Sequence, residues 1–129
     1  MRTIEGHKVN PANDTLTITV LDEPGSGGAH HLYRVTGFSK DNPGGKGPLA
    51  GGAVTIAFQN GPIAEAGVNG LTHEVLLEIL IDRLKCFQAG PFANGYNASA
   101  LLNLEAAQLD LQARTLERMS RGVEGTHKA

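Results

Sequence analysis

The chain has 129 residues and a formal charge of −2, one domain's length with room for a real but modest core. That charge excludes a general binder of polymeric nucleic acid, which needs a broad basic surface, so any phosphate recognition must be local and directed at a small ligand. No apolar run is long enough to cross a bilayer, no secretory signal opens the chain, and the single cysteine, Cys86, cannot form an internal disulfide, so a reducing cytosol is the expected compartment.

Residues 1–14 lack sustained periodicity and read as a loosely held arm. Thr15 to Val20 alternates threonine with Leu16, Ile18 and Val20, the pattern of a half-buried strand. Turn residues from Asp22 to Gly28 break it, and a second strand is predicted over His30 to Phe38. The glycine- and proline-rich segment Asp41 to Gly52 reads as a loop. A third strand follows over Ala53 to Gln59, with Val54, Ile56 and Phe58 on one side. Asn60-Gly61 is a strong two-residue hairpin signal, because both turn positions need positive φ. Ile63 to Ala66 is then expected as the short returning strand.

After Asn69-Gly70 the period becomes helical. Thr72 is an expected N-cap, with Glu74 in the first turn. Glu74, Glu78, Asp82 and Lys85 form a narrow polar stripe on a helix otherwise apolar from Val75 to Phe87. Such a helix is expected to be covered on several sides, by the sheet and by another subunit. Gly90-Pro91 ends it, and a second helix is expected with Asn97 as N-cap. Leu102, Leu109 and Leu116 recur every seven residues with Ala106 and Ala113 between them, the spacing of a close-packed helical seam. Gly122 suits the C′ position. The fold class is α+β: an N-terminal antiparallel sheet, then a C-terminal two-helix hairpin that oligomerises through its helices. Residues 1–70 are the β-rich portion and 71–129 the hairpin, within one compact domain. The thin core, with 17 glycines and no tryptophan, favours completion by a second copy.

Catalytic and metal signatures are missing. His30 and His31 are adjacent on a predicted strand and diverge, while His7, His73 and His127 lack ligand spacing. Cys86 reads as a small core residue. Gly44-Gly45-Lys46-Gly47 lacks the hydroxyl residue and the strand–helix context of a phosphate loop. No catalytic residue, metal or cofactor is expected.

What remains is binding chemistry. Arg114, Arg118 and Arg121 fall on one helical face, and guanidinium forks suit phosphate oxygens. The same arginines would also complement the helix macrodipole. Phe87 can stack on a purine or pack in the core; Asn97 can read a base edge or serve only as a cap. Arg114 and Arg118 lie roughly 25 to 30 Å from Asn97 by the helical rise. One copy cannot gather these groups around one small ligand, whereas two antiparallel copies can. Neither Arg114 nor Arg118 is expected to support the core. Two competing readings stay open: a pure assembly protein with the same seam and no ligand, and a small nucleotide-processing enzyme, which would need a general base or metal that the sequence does not offer.

Phe87 through Asn97, Arg114-Thr-Leu-Glu-Arg118 and Arg121-Gly-Val-Glu-Gly-Thr-His127 resemble the helical hairpin shared by two phage anti-defence sponge families, the first Thoeris anti-defence family and an anti-CBASS family. His30-His31-Leu32-Tyr33, Phe58-Gln-Asn-Gly-Pro-Ile63 and Gly67-Val-Asn-Gly70 are similar to the β portion of the Thoeris family, which the anti-CBASS protein lacks. The resemblance implies a non-enzymatic sponge in the cytoplasm of the infected host that sequesters a cyclic ADP-ribose isomer. It also implies a homodimer or hexamer, with separate pockets for cyclic di- or trinucleotides in the larger assembly. By the same resemblance Phe87 stacks on the base, Asn97 makes a polar contact, and Arg114 and Arg118 bind the pyrophosphate. Arg121 and Thr126 are further candidates for ligand contact. The bend Ala93-Asn94-Gly95-Tyr96 departs from the charged sequence of the family.

Overall fold

The computed structural model describes residues 1–39, 41 and 50–129, so most of the expected Asp41–Gly52 loop, Gly44-Gly45-Lys46-Gly47 included, lies outside the described residues. The described chain divides into two compact units, Met1–Gly61 and Pro62–Ala129.

The first unit is an antiparallel meander of strands β1 (Arg2–Ile4), β2 (Thr17–Val20), β3 (Leu32–Thr36) and β4 (Ala53–Ala57), in that spatial order. The expected arm is therefore structured: Arg2–Ile4 is an edge strand on β2, and Pro11–Asp14 is one helical turn, α1. A three-residue edge strand is too short to show alternation, which is why the sequence pattern hides it. Asn10 caps α1 by accepting from the Asn13 backbone N–H, and Pro11 occupies the first helical position, where no N–H is needed.

Register gives the sheet two unlike faces. Ile18 pairs with Ile4 and Val35, Val35 pairs with Val54, and Tyr33 lies between Val20 and Ile56. These apolar residues share one face, because opposed residues and residues two apart point the same way. Val20 is its most buried member, and Tyr33 meets Phe58 edge to face at 5.7 Å. Thr19, Arg34 and Thr55 line the other face.

His30 and His31 precede β3 rather than lying in it. The Asp22 carboxylate receives the N–H groups of His31 (2.8 Å) and Leu32 (3.1 Å), and His30 Nδ1 lies 2.7 Å from the Asp22 carbonyl. One carboxylate thus fixes the chain entering β3. After β3, Gly37 has φ of 97°, and a Cβ there would stand 1.8 Å from the Thr15 carbonyl oxygen. Only glycine fits that approach.

The second unit holds α2 (Ile63–Ala66), α3 (His73–Gln88) and α4 (Gly95–Ser120). The expected returning strand at Ile63–Ala66 is a helical turn. Pro62 takes the N-cap position with φ −67° and ψ 139°, and its carbonyl accepts from Glu65 and Ala66. Proline at that point cannot supply a ladder N–H, so helix replaces hairpin despite Asn60-Gly61.

Thr72 caps α3 as expected, its hydroxyl accepting from Val75 N–H at 3.3 Å. The N-cap of α4 is Asn94, not Asn97: the Asn94 side chain accepts from Asn97 N–H at 2.8 Å. Asn97 lies inside the first turn, which leaves its amide unspent on capping. Gly122 ends the hairpin at φ 71°.

The α3–α4 contact does not use the leucine heptads. Leu102, Leu109 and Leu116 are 69%, 67% and 64% exposed. The inner face is instead Leu101, Leu104, Gln108, Leu111, Thr115 and Arg118, spaced three and four apart. Gln108 is buried there and donates to the Glu74 carbonyl (3.0 Å) and the Glu78 carboxylate (3.2 Å). On α3, Ile81 is buried, while Val75, Ile79, Leu80 and Phe87 are exposed, and Cys86 is exposed rather than in the core. A second apolar surface therefore runs along the outside of the hairpin.

Candidate functional site

Phe87 ends α3 and Asn97 begins α4, so both lie at the bend of the hairpin. A reciprocal pair of hydrogen bonds closes that bend: Gln88 Nε2 donates to the Asn94 carbonyl, and Asn94 N–H donates to Gln88 Oε1, each at 3.1 Å. The clasp fixes the two neighbours that carry the candidate chemistry. Phe87 is 36% exposed. The Arg83 guanidinium, one turn earlier, lies 5.1 Å from the Phe87 ring centroid, within the range of a cation–π contact. Spacing had not singled out Arg83, although a cation four residues before an aromatic is the signal that could have revealed it.

The arginines occupy the other end of α4. That helix is unbroken from Gly95 to Ser120, so Asn97 and Arg114 stay roughly 25 Å apart. The fold brings Phe87 and Asn97 together and keeps Arg114, Arg118, Arg121 and Thr126 away from them.

The three arginines differ sharply in environment. Arg114 is exposed and makes no hydrogen bond or ion pair among the described residues. Arg121 is exposed and pairs with Glu117 one turn back through two nitrogens. Arg118 is only 6% exposed. Its Nε donates to Glu124 at 3.0 Å, and its terminal nitrogens donate to the carbonyls of Val123 (2.9 Å), Thr126 (3.2 Å) and Lys128. The expectation that neither arginine supports the core is corrected for Arg118. Gly122 and Gly125, both at positive φ, turn the tail back over the helix end, so a position on the arginine face becomes an interior one.

The folded-back tail also holds α2. Ala64 N–H donates to the Gly125 carbonyl at 3.1 Å, and His127 lies 3.6 Å from Glu65. Thr126 is engaged already, its hydroxyl donating to the Val123 carbonyl and accepting the Lys128 N–H at 3.3 Å. Gly122 was visible in the sequence as a helix stop, but the pairing of Glu124 with Arg118 depends on the tail's reversal and has no periodic signature.

Among the described residues, no group of three or more His, Cys, Asp or Glu is placed to hold a metal ion. No described helix is long and apolar enough to cross a membrane. Asp22 is one of the perturbed groups of the sheet unit. Partial desolvation raises its pKa, but the N–H groups of His31 and Leu32, its own N–H and the nearby His30 outweigh this and hold it below the usual carboxylate range.

The family model described as "Acb2/Tad1, hairpin domain" matches residues 52–115, which include β4, α2, α3 and most of α4. A protein named Thoeris anti-defense 1, from Bacillus phage SBSphiJ7, is 47% identical over 80 residues, 62% of this chain. The match spans 56% of that phage protein, so the chain corresponds to little more than half of its relative's length. Over residues 52–115, then, the chain is similar to the Acb2/Tad1 hairpin domain, and it resembles the first Thoeris anti-defence family of phage proteins.

Proposed function

We propose that this chain is a phage anti-defence sponge that binds a cyclic ADP-ribose isomer and holds it, uncleaved, in the cytoplasm of the infected host. The observation that carries the reading is the length of α4. Its continuous run separates an aromatic and an amide at one end from Arg114, unpaired among the described residues, at the other. Two antiparallel copies would bring the Phe87–Asn97 end of one against the Arg114 end of the other. The exposed leucines 102, 109 and 116, with Ile79 and Leu80, provide apolar surface for that pairing.

In this pocket Phe87 stacks on adenine and Asn97 contacts its edge or the ribose. Arg114, which has no hydrogen bond or ion pair among the described residues, binds the pyrophosphate. Arg118 serves the same phosphates by giving up one of its carbonyl partners, or holds the tail that carries Thr126 to the pocket's rim beside Arg121 at the end of α4. No cofactor is required. Binding is sufficient for the biology, because a sequestered signal is denied to the host effector. The assembly is a dimer or, with dimers combined, a hexamer, in which further pockets for cyclic di- or trinucleotides can form.

Native mass spectrometry of the purified protein, with and without cyclic ADP-ribose isomers, tests this reading. The expected result is an oligomer that takes up ligand and releases it unchanged on denaturation. An oligomer that takes up neither these isomers nor cyclic oligonucleotides would make the chain an assembly protein. Uptake of cyclic di- or trinucleotides alone would make it a sponge for CBASS signals. Recovery of cleaved ligand would make it an enzyme.

A further inference from the structure

We infer that Arg83 is a positioning residue for the ligand's base: it covers one face of the Phe87 ring and leaves the other for adenine. The inference rests on the sponge reading, and deepens it at the same site. Arg83 and Phe87 are four residues apart on α3, so they share a helix face, and the guanidinium carbon lies 5.1 Å from the ring centroid. Arg83 is exposed and has no carboxylate or carbonyl partner among the described residues, so the aromatic ring is its principal contact. A carboxylate one turn away on the same helix would compete with the ring for Arg83. Here the residues three and four positions earlier are Leu80 and Ile79, and those following are Cys86 and Phe87.

Two physical effects follow. A ring covered on one side has fewer accessible orientations, so less freedom is lost when a base settles on the other side. The guanidinium also places positive charge behind the stack. A base at ordinary van der Waals separation, about 3.5–4 Å beyond the ring, would lie roughly 9 Å from that charge, about one Debye length at physiological salt, so the attraction is weakened but not abolished. The anionic ligand is therefore drawn toward the stacking face, while the base itself meets phenyl rather than guanidinium. Arg83 acts through Phe87, and its effect must disappear when the ring is removed.

That dependence sets the experiment: calorimetric titration with cyclic ADP-ribose isomers of the parental protein, Arg83→Ala, Arg83→Lys, Phe87→Leu and the Arg83→Ala/Phe87→Leu double variant. Far-ultraviolet circular dichroism and light scattering accompany each titration. Arg83→Ala should remain folded and assembled, yet bind roughly 3- to 10-fold more weakly. Arg83→Lys should recover most of the loss, since an ammonium also sits over an aromatic face. On the Phe87→Leu background, Arg83→Ala should change affinity by less than about twofold, the non-additivity of two residues acting as one unit. Undiminished binding by Arg83→Ala overturns the inference and leaves the sponge reading standing. An equal loss on both backgrounds also overturns it, because Arg83 would then act on the ligand directly. No binding by the parental protein overturns the sponge reading, and this role with it.

Discussion

Gln88 and Asn94 hold each other through both groups of one carboxamide, Nε2 to the Asn94 carbonyl and Oε1 from the Asn94 N–H, each at 3.1 Å. Asn94 in turn caps α4 through Asn97 N–H. One side chain thus links the last turn of α3 to the first turn of α4, between Phe87 and Asn97. Gln88→Ala should lower stability by about 1–2 kcal/mol, since two exposed hydrogen bonds are lost. Ligand affinity should fall more than stability suggests, because the aromatic and the amide lose their common frame. Gln88→Glu keeps the acceptor and loses the donor, and should fall between. Thermal unfolding and calorimetry on both variants check the order.

The hairpin's ends were legible because their signals are local. Thr72 before an apolar run, and glycine at 122, each have a stereochemical reason that needs no partner. The inner face of α4 was not legible, because two of its members are Gln108 and Arg118. Hydrophobic periodicity detects whichever stripe is most apolar, here Leu102, Leu109 and Leu116, and that stripe faces outward in the single chain. The edge strand Arg2–Ile4 was hidden by brevity. The Asn60-Gly61 signal lost to the proline that follows it, which makes a helix start of what should have been a strand. The candidate site divides the same way. Residue type and spacing pointed to Phe87 and Arg114, but the burial of Arg118 depends on a tail that doubles back.

Arg114 and Arg118 should therefore part company on mutation. Arg114→Ala should change stability by no more than about 0.5 kcal/mol, as expected for an exposed residue without a hydrogen bond or ion pair among the described residues, and should reduce ligand affinity at least tenfold. Arg118→Ala should cost roughly 2–4 kcal/mol, because three carbonyls and Glu124 lose a charged donor. Arg118→Lys should rescue little, since one ammonium cannot meet acceptors spread around a planar fork. Urea unfolding of the unliganded protein, with proteolysis of the tail beyond Gly122, separates these roles from ligand binding.

Leu109→Glu should break the assembly while leaving the single chain folded. The side chain is 67% exposed in one copy, so a carboxylate costs little there. In the proposed pairing it would displace a buried leucine, each such burial contributing about 1.5–3 kcal/mol. Light scattering at micromolar concentration should show monomer, and circular dichroism an unchanged helix content. A persistent oligomer would place the interface elsewhere.

Asp22 predicts an acid limit for the sheet unit. Its pKa is lowered in the folded chain, so its contribution is complete above the ordinary carboxylate range and disappears as pH falls through the lower folded value. Stability should be flat with respect to this group from pH 5 to 8 and decline below about pH 4. Asp22→Asn should remove that part of the acid dependence and lower stability at neutral pH, because an amide offers one acceptor oxygen where the carboxylate offers two. Thermal melts of both proteins between pH 3 and 8 give the comparison.

The unbroken α4 is also a ruler. If the two halves of a pocket come from opposite ends of antiparallel copies, the helix length between Asn97 and Arg114 sets the offset at which the copies must register. Excision of seven residues from its middle would keep the helix faces nearly in phase while drawing the arginine end about 10 Å closer to the bend. Such a shortened chain could keep its hairpin and its apolar flank, yet meet its twin with base and phosphate sites out of step. Selection on the size of the captured signal would therefore act on the number of turns in a helix as well as on the residues that touch the ligand.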